Sequence, residues 1–150
     1  MRKRQRRTIG SIVEIPIEQY RIHAQILPDC DMVFFDTKNV INPNIEEILA
    51  SKVLFRVAAN DDAILDGYWV KVGKAELKEE FSKPVPKFVQ DALNKEKFEI
   101  YLGGESRPAT RKKCEGLDRC AVWAVNHIED RIRDHYNNKP NVWVEQMRLK

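Results

Sequence analysis

No stretch of this 150-residue chain approaches the ~20 consecutive apolar residues of a bilayer-spanning helix. The start, MRKRQRRTIG, is charged but has no apolar run behind it, so it is not a secretory signal. Cysteine is scarce: Cys30, Cys114 and Cys120 make an odd count without a CxxC pair. A disulfide framework and the common zinc patterns are excluded, and the three read as reduced thiols in a cytoplasmic protein. GYWVKVGK holds Gly67, Gly73 and Lys74, but Ala75 follows, and the phosphate-loop spacing is missing. Cys114 precedes a predicted helix, whose N-terminus could activate a thiol, yet no nucleophile elbow or cysteine-hydrolase motif surrounds it. No internal repeat and no long linker interrupt the chain. It divides into a basic flexible tail, residues 1–8, and a single domain, residues 9–150.

What is present is apolar material for a core, 43%, and a charged fraction of 33%. The net charge of +3 is unevenly spread. Arg2, Lys3, Arg4, Arg6 and Arg7 give +5 at the start. From Glu14 to Asp66 ten carboxylates face four basic residues, a net of −6. From Gly67 on, seventeen basic and thirteen acidic residues leave +4. Nucleic-acid binders present a basic face. An acidic first half suits a basic protein partner better.

Apolar alternation predicts a strand at IGSIVEIPI, with Pro16 marking an edge or bulge, and another at YRIHAQIL. PDCD is a turn and MVFFD a third strand, which together make an antiparallel meander. NPNIEEILA reads as a short helix capped by Asn42 with Pro43 in its first turn. KVLFRVAA is a strand, NDDAILDG a loop, YWVKVGKAEL a strand, KPVPKFVQDAL at most one helical turn, and KFEIYLGG a strand. Leu117, Ala121, Ala124, Ile128 and Ile132 form one helical stripe, so a helix is expected over Leu117–Tyr136. NVWVEQMRL follows as a last strand. The fold class is α+β: a mostly antiparallel β-sheet, with a half-open barrel as one form of it, one long C-terminal helix packed on it, and one or two short helices.

His127, Asp130 and Asp134 share a side of that helix, a spacing metal sites use. The one histidine outside it, His23, sits on a predicted strand among ordinary surface residues, so no second segment supplies ligands. His127 and His135 then flank the stripe and bond locally. No catalytic residue, metal or cofactor is expected. A metal-dependent hydrolase on His127, Asp130 and Asp134 is the rival, decided by metal analysis.

GSIVEIPI, FFD, GYWVKVGKAEL and CEGLDRCAVWAVNHIEDRIRDHYNNKPNVW, in this order, resemble the immunity protein 26 family. These are bacterial antitoxin-like proteins encoded beside polymorphic toxins, including contact-dependent growth inhibition effectors. The resemblance runs from about Gly10 to Trp143, and AVW…HIEDRI…H is its most specific part. The family's middle motif pairs Gly with Trp, whereas Tyr68 here separates Gly67 from Trp69. The resemblance implies a β-rich α+β domain that binds and neutralises one cognate toxin domain, without catalytic residues. It implies structural roles for Gly10, Gly67, Trp69, Trp123, His127, Asp130 and Arg131, with the glycines in turns and Trp123 packed with the helix stripe across the sheet.

Toxins that degrade nucleic acid have basic clefts, so a carboxylate-rich surface can steer and fill them. The candidate contacts are Asp29, Asp31, Asp36, Glu46, Glu47, Asp61, Asp62 and Asp66, with Tyr68 as an aromatic anchor. The expected partner is a toxin C-terminal domain, a nuclease and most of all a ribonuclease, in an about 1:1 complex. No membrane and no nucleic acid is expected as a partner. The alternative is a small β-rich module that binds nucleic acid through the arginine tail. Removing residues 1–7 is the cut that separates the two.

Overall fold

The computed structural model describes residues 2–150. The elements begin with β1 (Ser11–Ile17), β2 (Tyr20–Ile26), β3 (Asp31–Phe35), α1 (Ile45–Ala50) and β4 (Val53–Ala59). Next come α2 (Asp62–Leu65), β5 (Val70–Lys74), α3 (Glu79–Ser82), β6 (Lys87–Gln90) and β7 (Phe98–Leu102). The chain ends with β8 (Glu105–Ala109), α4 (Arg111–Cys114), β9 (Asp118–Arg119), β10 (Val122–Trp123), α5 (Val125–Tyr136) and α6 (Val142–Met147). The fold is α+β, mostly antiparallel, in two sheets, and no barrel closes among the described residues. The chain gathers into two compact units, 1–82 with 122–129 and 83–121 with 130–150.

The first unit holds a six-stranded sheet in the order β10-β4-β3-β2-β1-β5. The expected meander is its centre, with Ala24 opposite Val13 and Phe34. β3 is buried at every residue, which explains its unbroken apolar run. On one side Ile12, Leu27, Val33, Phe35, Ile48 and Phe81 form a cluster that Ile45 of α1 helps to cover. Phe34 instead stacks on Phe55 at 4.7 Å and meets Trp69 edge-on at 6.0 Å. Pro16 fits because β5 pairs with β1 only from Ser11 to Glu14, so the missing N–H costs no ladder bond there. The register shift of that pairing falls between Ile12 and Val13.

Asn44, not Asn42, caps α1: its side chain accepts from the Glu47 N–H at 2.8 Å, and its own N–H donates to Glu47 Oε1 at 3.1 Å. This reciprocal box satisfies two donors of the first turn. NDDAILDG, read as a loop, contains α2. His23, placed on the surface from sequence, is buried. Its Nδ1 lies 2.8 Å from Thr37 Oγ1 and its Nε2 3.4 Å from Glu14 Oε2.

The second unit holds a four-stranded sheet in the order β8-β7-β6-β9. Phe88, Phe98 and Cys114 form its buried cluster, with Ile100, Ala109, Leu117 and Leu149 packed on it. KPVPKFVQDAL supplies a strand, β6, rather than a helical turn. KFEIYLGG continues through Gly103 and Gly104 into β8, an exposed edge strand that tolerates Pro108. The C-terminal NVWVEQMRL is helical, not extended: Asn141 caps α6 by accepting from the Val144 N–H at 2.9 Å.

The long helix begins at Val125, eight residues later than its stripe suggests. Asp118 and Arg119 pair in parallel with Lys87 and Phe88, and Val122 and Trp123 with Ala58 and Ala59. Strand pairing thus takes Leu117 and Ala121 out of the helix. Trp123 is correspondingly a strand residue, and its carbonyl accepts from the Asn60 N–H at 2.9 Å. Cys114 ends α4 instead of preceding a long helix, and burial pushes its thiol up, the opposite of activation. No helix among the described residues is long and apolar enough to cross a membrane.

Candidate functional site

The carboxylates proposed from sequence do not act as one group. Asp31 is 3% exposed, and its Oδ2 accepts from Arg56 Nε at 3.0 Å. As the first residue of β3 it faces inward and cannot protrude toward a partner, which corrects its place among the exposed candidates. Glu47 is committed to the α1 cap. Asp36 is half-buried after β3, while Asp29 and Glu46 are exposed. Asp61, Asp62, Asp66 and Tyr68 do come together around α2. Asp61 stands at its N-terminal end without a side-chain cap bond, and the Asp62 N–H donates to Asn60 Oδ1 at 2.8 Å.

Asp62, Asp66 and Tyr68 border an open groove of about 440 Å³ in the first unit. Asp62, Asp66 and Glu129 line it with Asn60, Asn126, Tyr68 and Trp69. Trp69 is wholly buried, and its indole N–H makes no hydrogen bond among the described residues. Tyr68, just before β5, and Val70 and Val72 within it alternate with Trp69 along the chain and are 49%, 47% and 45% exposed. An apolar stripe therefore runs beside an acidic hollow. Sequence alternation signals this stripe, whereas Asn126 and Glu129 carry no signal that links them to α2.

The N-terminal basic stretch, read from sequence as a flexible tail, is tied to the same region. The Gln5 N–H donates to Leu65 O at 3.1 Å. Its side-chain amide donates to Ile64 O and Trp69 O, both at 2.8 Å, and accepts from the Lys71 N–H at 2.9 Å. Arg7 Nη2 donates to Leu27 O at 2.7 Å and Asp31 O at 2.9 Å. Arg2 lies 3.4 Å over the Tyr68 ring, and Arg4 Nη1 is 3.5 Å from Asp66 Oδ1. A cut at residue 7 would remove the Gln5 and Arg7 ties along with the arginine charge, so it cannot by itself separate the two readings.

Gly67 follows α2 at φ +78, and a Cβ there would lie 2.3 Å from Lys3 O. Both the turn and the passing backbone require glycine. Gly10, at φ +91, is held by its N–H to Ile26 O at 2.8 Å and its carbonyl from the Ala75 N–H at 3.0 Å.

The residues weighed as metal ligands have other occupations. Asp130 accepts from Trp143 Nε1 at 3.0 Å and Arg133 Nη1 at 3.1 Å. Asp134 accepts from Asn141 Nδ2 at 2.9 Å. Burial pulls Arg131 below the usual guanidinium range, with Asp118 acting against that. His127 is half-buried on α5. Among the described residues no group of three or more His, Cys, Asp or Glu side chains is placed to hold a metal ion.

A family model described as immunity protein 26 matches residues 8–99. The match begins after the arginines, takes in β1 to β6 and the α2 region, and ends before α5, whose segment carried the resemblance in sequence. No curated protein and no solved structure matches the chain. With more than half its length matched, the chain belongs to the immunity protein 26 family, and its function is that of an immunity protein, to neutralise a toxin.

Proposed function

We propose that the protein neutralises its toxin by direct contact, through the groove between α2 and the start of α5 and the neighbouring Tyr68–Val70–Val72 stripe. The observation that carries this is the pairing of an exposed apolar stripe with a carboxylate-lined hollow in one compact unit. Contiguous exposed apolar surface marks a binding site, and the aromatic at its groove end is a fitting anchor. The carboxylates select a basic partner. Nuclease toxins offer one, because the cleft that holds a polyphosphate chain is lined by Lys and Arg; a ribonuclease is the favoured member of that class. Outside residues 1–8 the first unit has fourteen carboxylates against seven basic residues, a net of −7, which the five basic residues of the anchored N-terminal stretch bring to −2. The local carboxylates of the groove can steer encounter with a basic partner and raise association rates.

In this reading the protein is a non-enzymatic, cytoplasmic inhibitor of a toxin delivered between cells, as in contact-dependent growth inhibition, and forms an about 1:1 complex with the toxin's C-terminal domain. The test is co-expression of the full chain with the C-terminal domain of the exported protein encoded beside it. Growth should be rescued, and the two should elute together at about 1:1. Absence of a complex, or rescue that survives Asp62→Lys with Asp66→Lys and Tyr68→Ala combined, overturns the proposed contact.

A further inference from the structure

The arginines at the N-terminus lie outside the family match and have no part in the contact proposed above. Their anchoring is graded. Gln5 and Arg7 are fixed by short bonds to backbone groups. Arg2 and Arg4 make only surface contacts, on Tyr68 and Asp66, and the Arg4–Asp66 side chains are 80% and 53% exposed. An exposed ion pair of this kind is weak and screened by salt. The backbone between them is nonetheless guided closely: Lys3 O passes over Gly67, the one residue type that leaves it room. The chain thus lays two guanidinium groups on two residues that also line the acidic groove.

We infer that the Tyr68–Asp66 rim is a guanidinium subsite, filled in the free protein by Arg2 and Arg4 as exchangeable placeholders and in the complex by arginines of the toxin. This rests on the reading of the groove as the toxin contact. The chemistry fits arginine rather than lysine: a planar, weakly hydrated cation stacks on the ring while its N–H groups meet the carboxylate. Exchange of arginine for arginine also avoids a penalty, since no carboxylate is left unpaired when the interface closes. The placeholders further lower the affinity of the acidic surface for stray cations before the toxin arrives.

The probe is a capped tetra-arginine peptide, titrated at low ionic strength into the full chain, R2A/R4A, Tyr68→Leu and Tyr68→Phe. R2A/R4A should bind at least about threefold more tightly, because the competing occupant is gone. Tyr68→Leu should bind at least about threefold more weakly, and Tyr68→Phe, which keeps the ring, as the parent does. A capped tetra-lysine peptide should gain less from R2A/R4A. Equal affinity of R2A/R4A and parent, or Tyr68→Leu binding as well as parent, overturns the subsite. The peptide experiment contains no toxin. Toxin neutralisation without these peptide effects removes the subsite and leaves the immunity contact standing; the peptide effects without neutralisation do the reverse.

Discussion

Asp31 and Asp62 differ in what surrounds them, and substitution should show it. Asp31→Asn removes the buried carboxylate that the Arg56 guanidinium meets at 3.0 Å, at a cost of about 3 kcal/mol. A urea titration should show this as a lower midpoint. Asp62→Asn, on an exposed residue, should shift that midpoint little and instead slow toxin association in stopped flow. His23 gives a pH dependence. Burial lowers its pKa from 6.5, against the raising effect of Glu14 and with a small further lowering from Arg21. Below pH 6.5 the unfolded chain therefore binds a proton that the folded chain resists. Stability is fully present above that pH and falls as pH drops toward the folded value, by up to about 1.4 kcal/mol per unit. Urea midpoints at pH 7.5 and 5.5 test this, and His23→Gln should flatten the difference. Neither burial was legible in sequence. Asp31 borders a turn and His23 shares its strand face with Arg21, so both read as surface; the covering of the sheet on both faces is a tertiary fact.

Elements whose signal is local were legible, and those defined by pairing were not. β1 to β4 follow from alternation and apolar runs, and the PDCD turn from its residue types. β9 and β10 are two residues each and exist only because β6 and β4 pair with them; β8, with Glu105, Ser106, Arg107 and Pro108, has no strand composition at all. The apolar stripe from Leu117 kept its period while pairing removed its first turns from the helix. The same logic applies to the site: Asp61, Asp62, Asp66 and Tyr68 are neighbours in sequence and were found together, while Glu129 needed the fold. The turn between β2 and β3 holds Asp29 at φ 58 and Cys30 at φ 67. Both central residues are left-handed, the geometry of a tight hairpin that favours glycine. Cys30→Gly should stabilise the protein by about 0.5 kcal/mol, relief of the Cβ penalty being partly offset by the freer unfolded chain. Gly67→Ala runs the other way. It adds strain and meets Lys3 O, so a loss of at least about 1 kcal/mol is expected, together with faster proteolysis near the N-terminus.

Charge is divided across the whole molecule. The second unit has fourteen basic and nine acidic residues, a net of +5, while the first, with its N-terminal stretch, has twelve basic and fourteen acidic, a net of −2, so the total of +3 conceals units of opposite sign. Association with a basic toxin should therefore slow steeply as salt rises. Carboxylate substitutions in the first unit should flatten that slope, and substitutions at Glu99 or Glu105 should leave it nearly unchanged. A last consequence belongs to Gln5. β5 ends its sheet, and the Gln5 amide meets Trp69 O and Lys71 N as a neighbouring strand's peptide group would. One side chain thereby blocks the place where another molecule's strand could add itself to the sheet. An immunity protein has to wait, unused and at working concentration, until a toxin arrives. Gln5→Ala should shorten that wait, by opening a sticky border along which copies of the protein gather into aggregates.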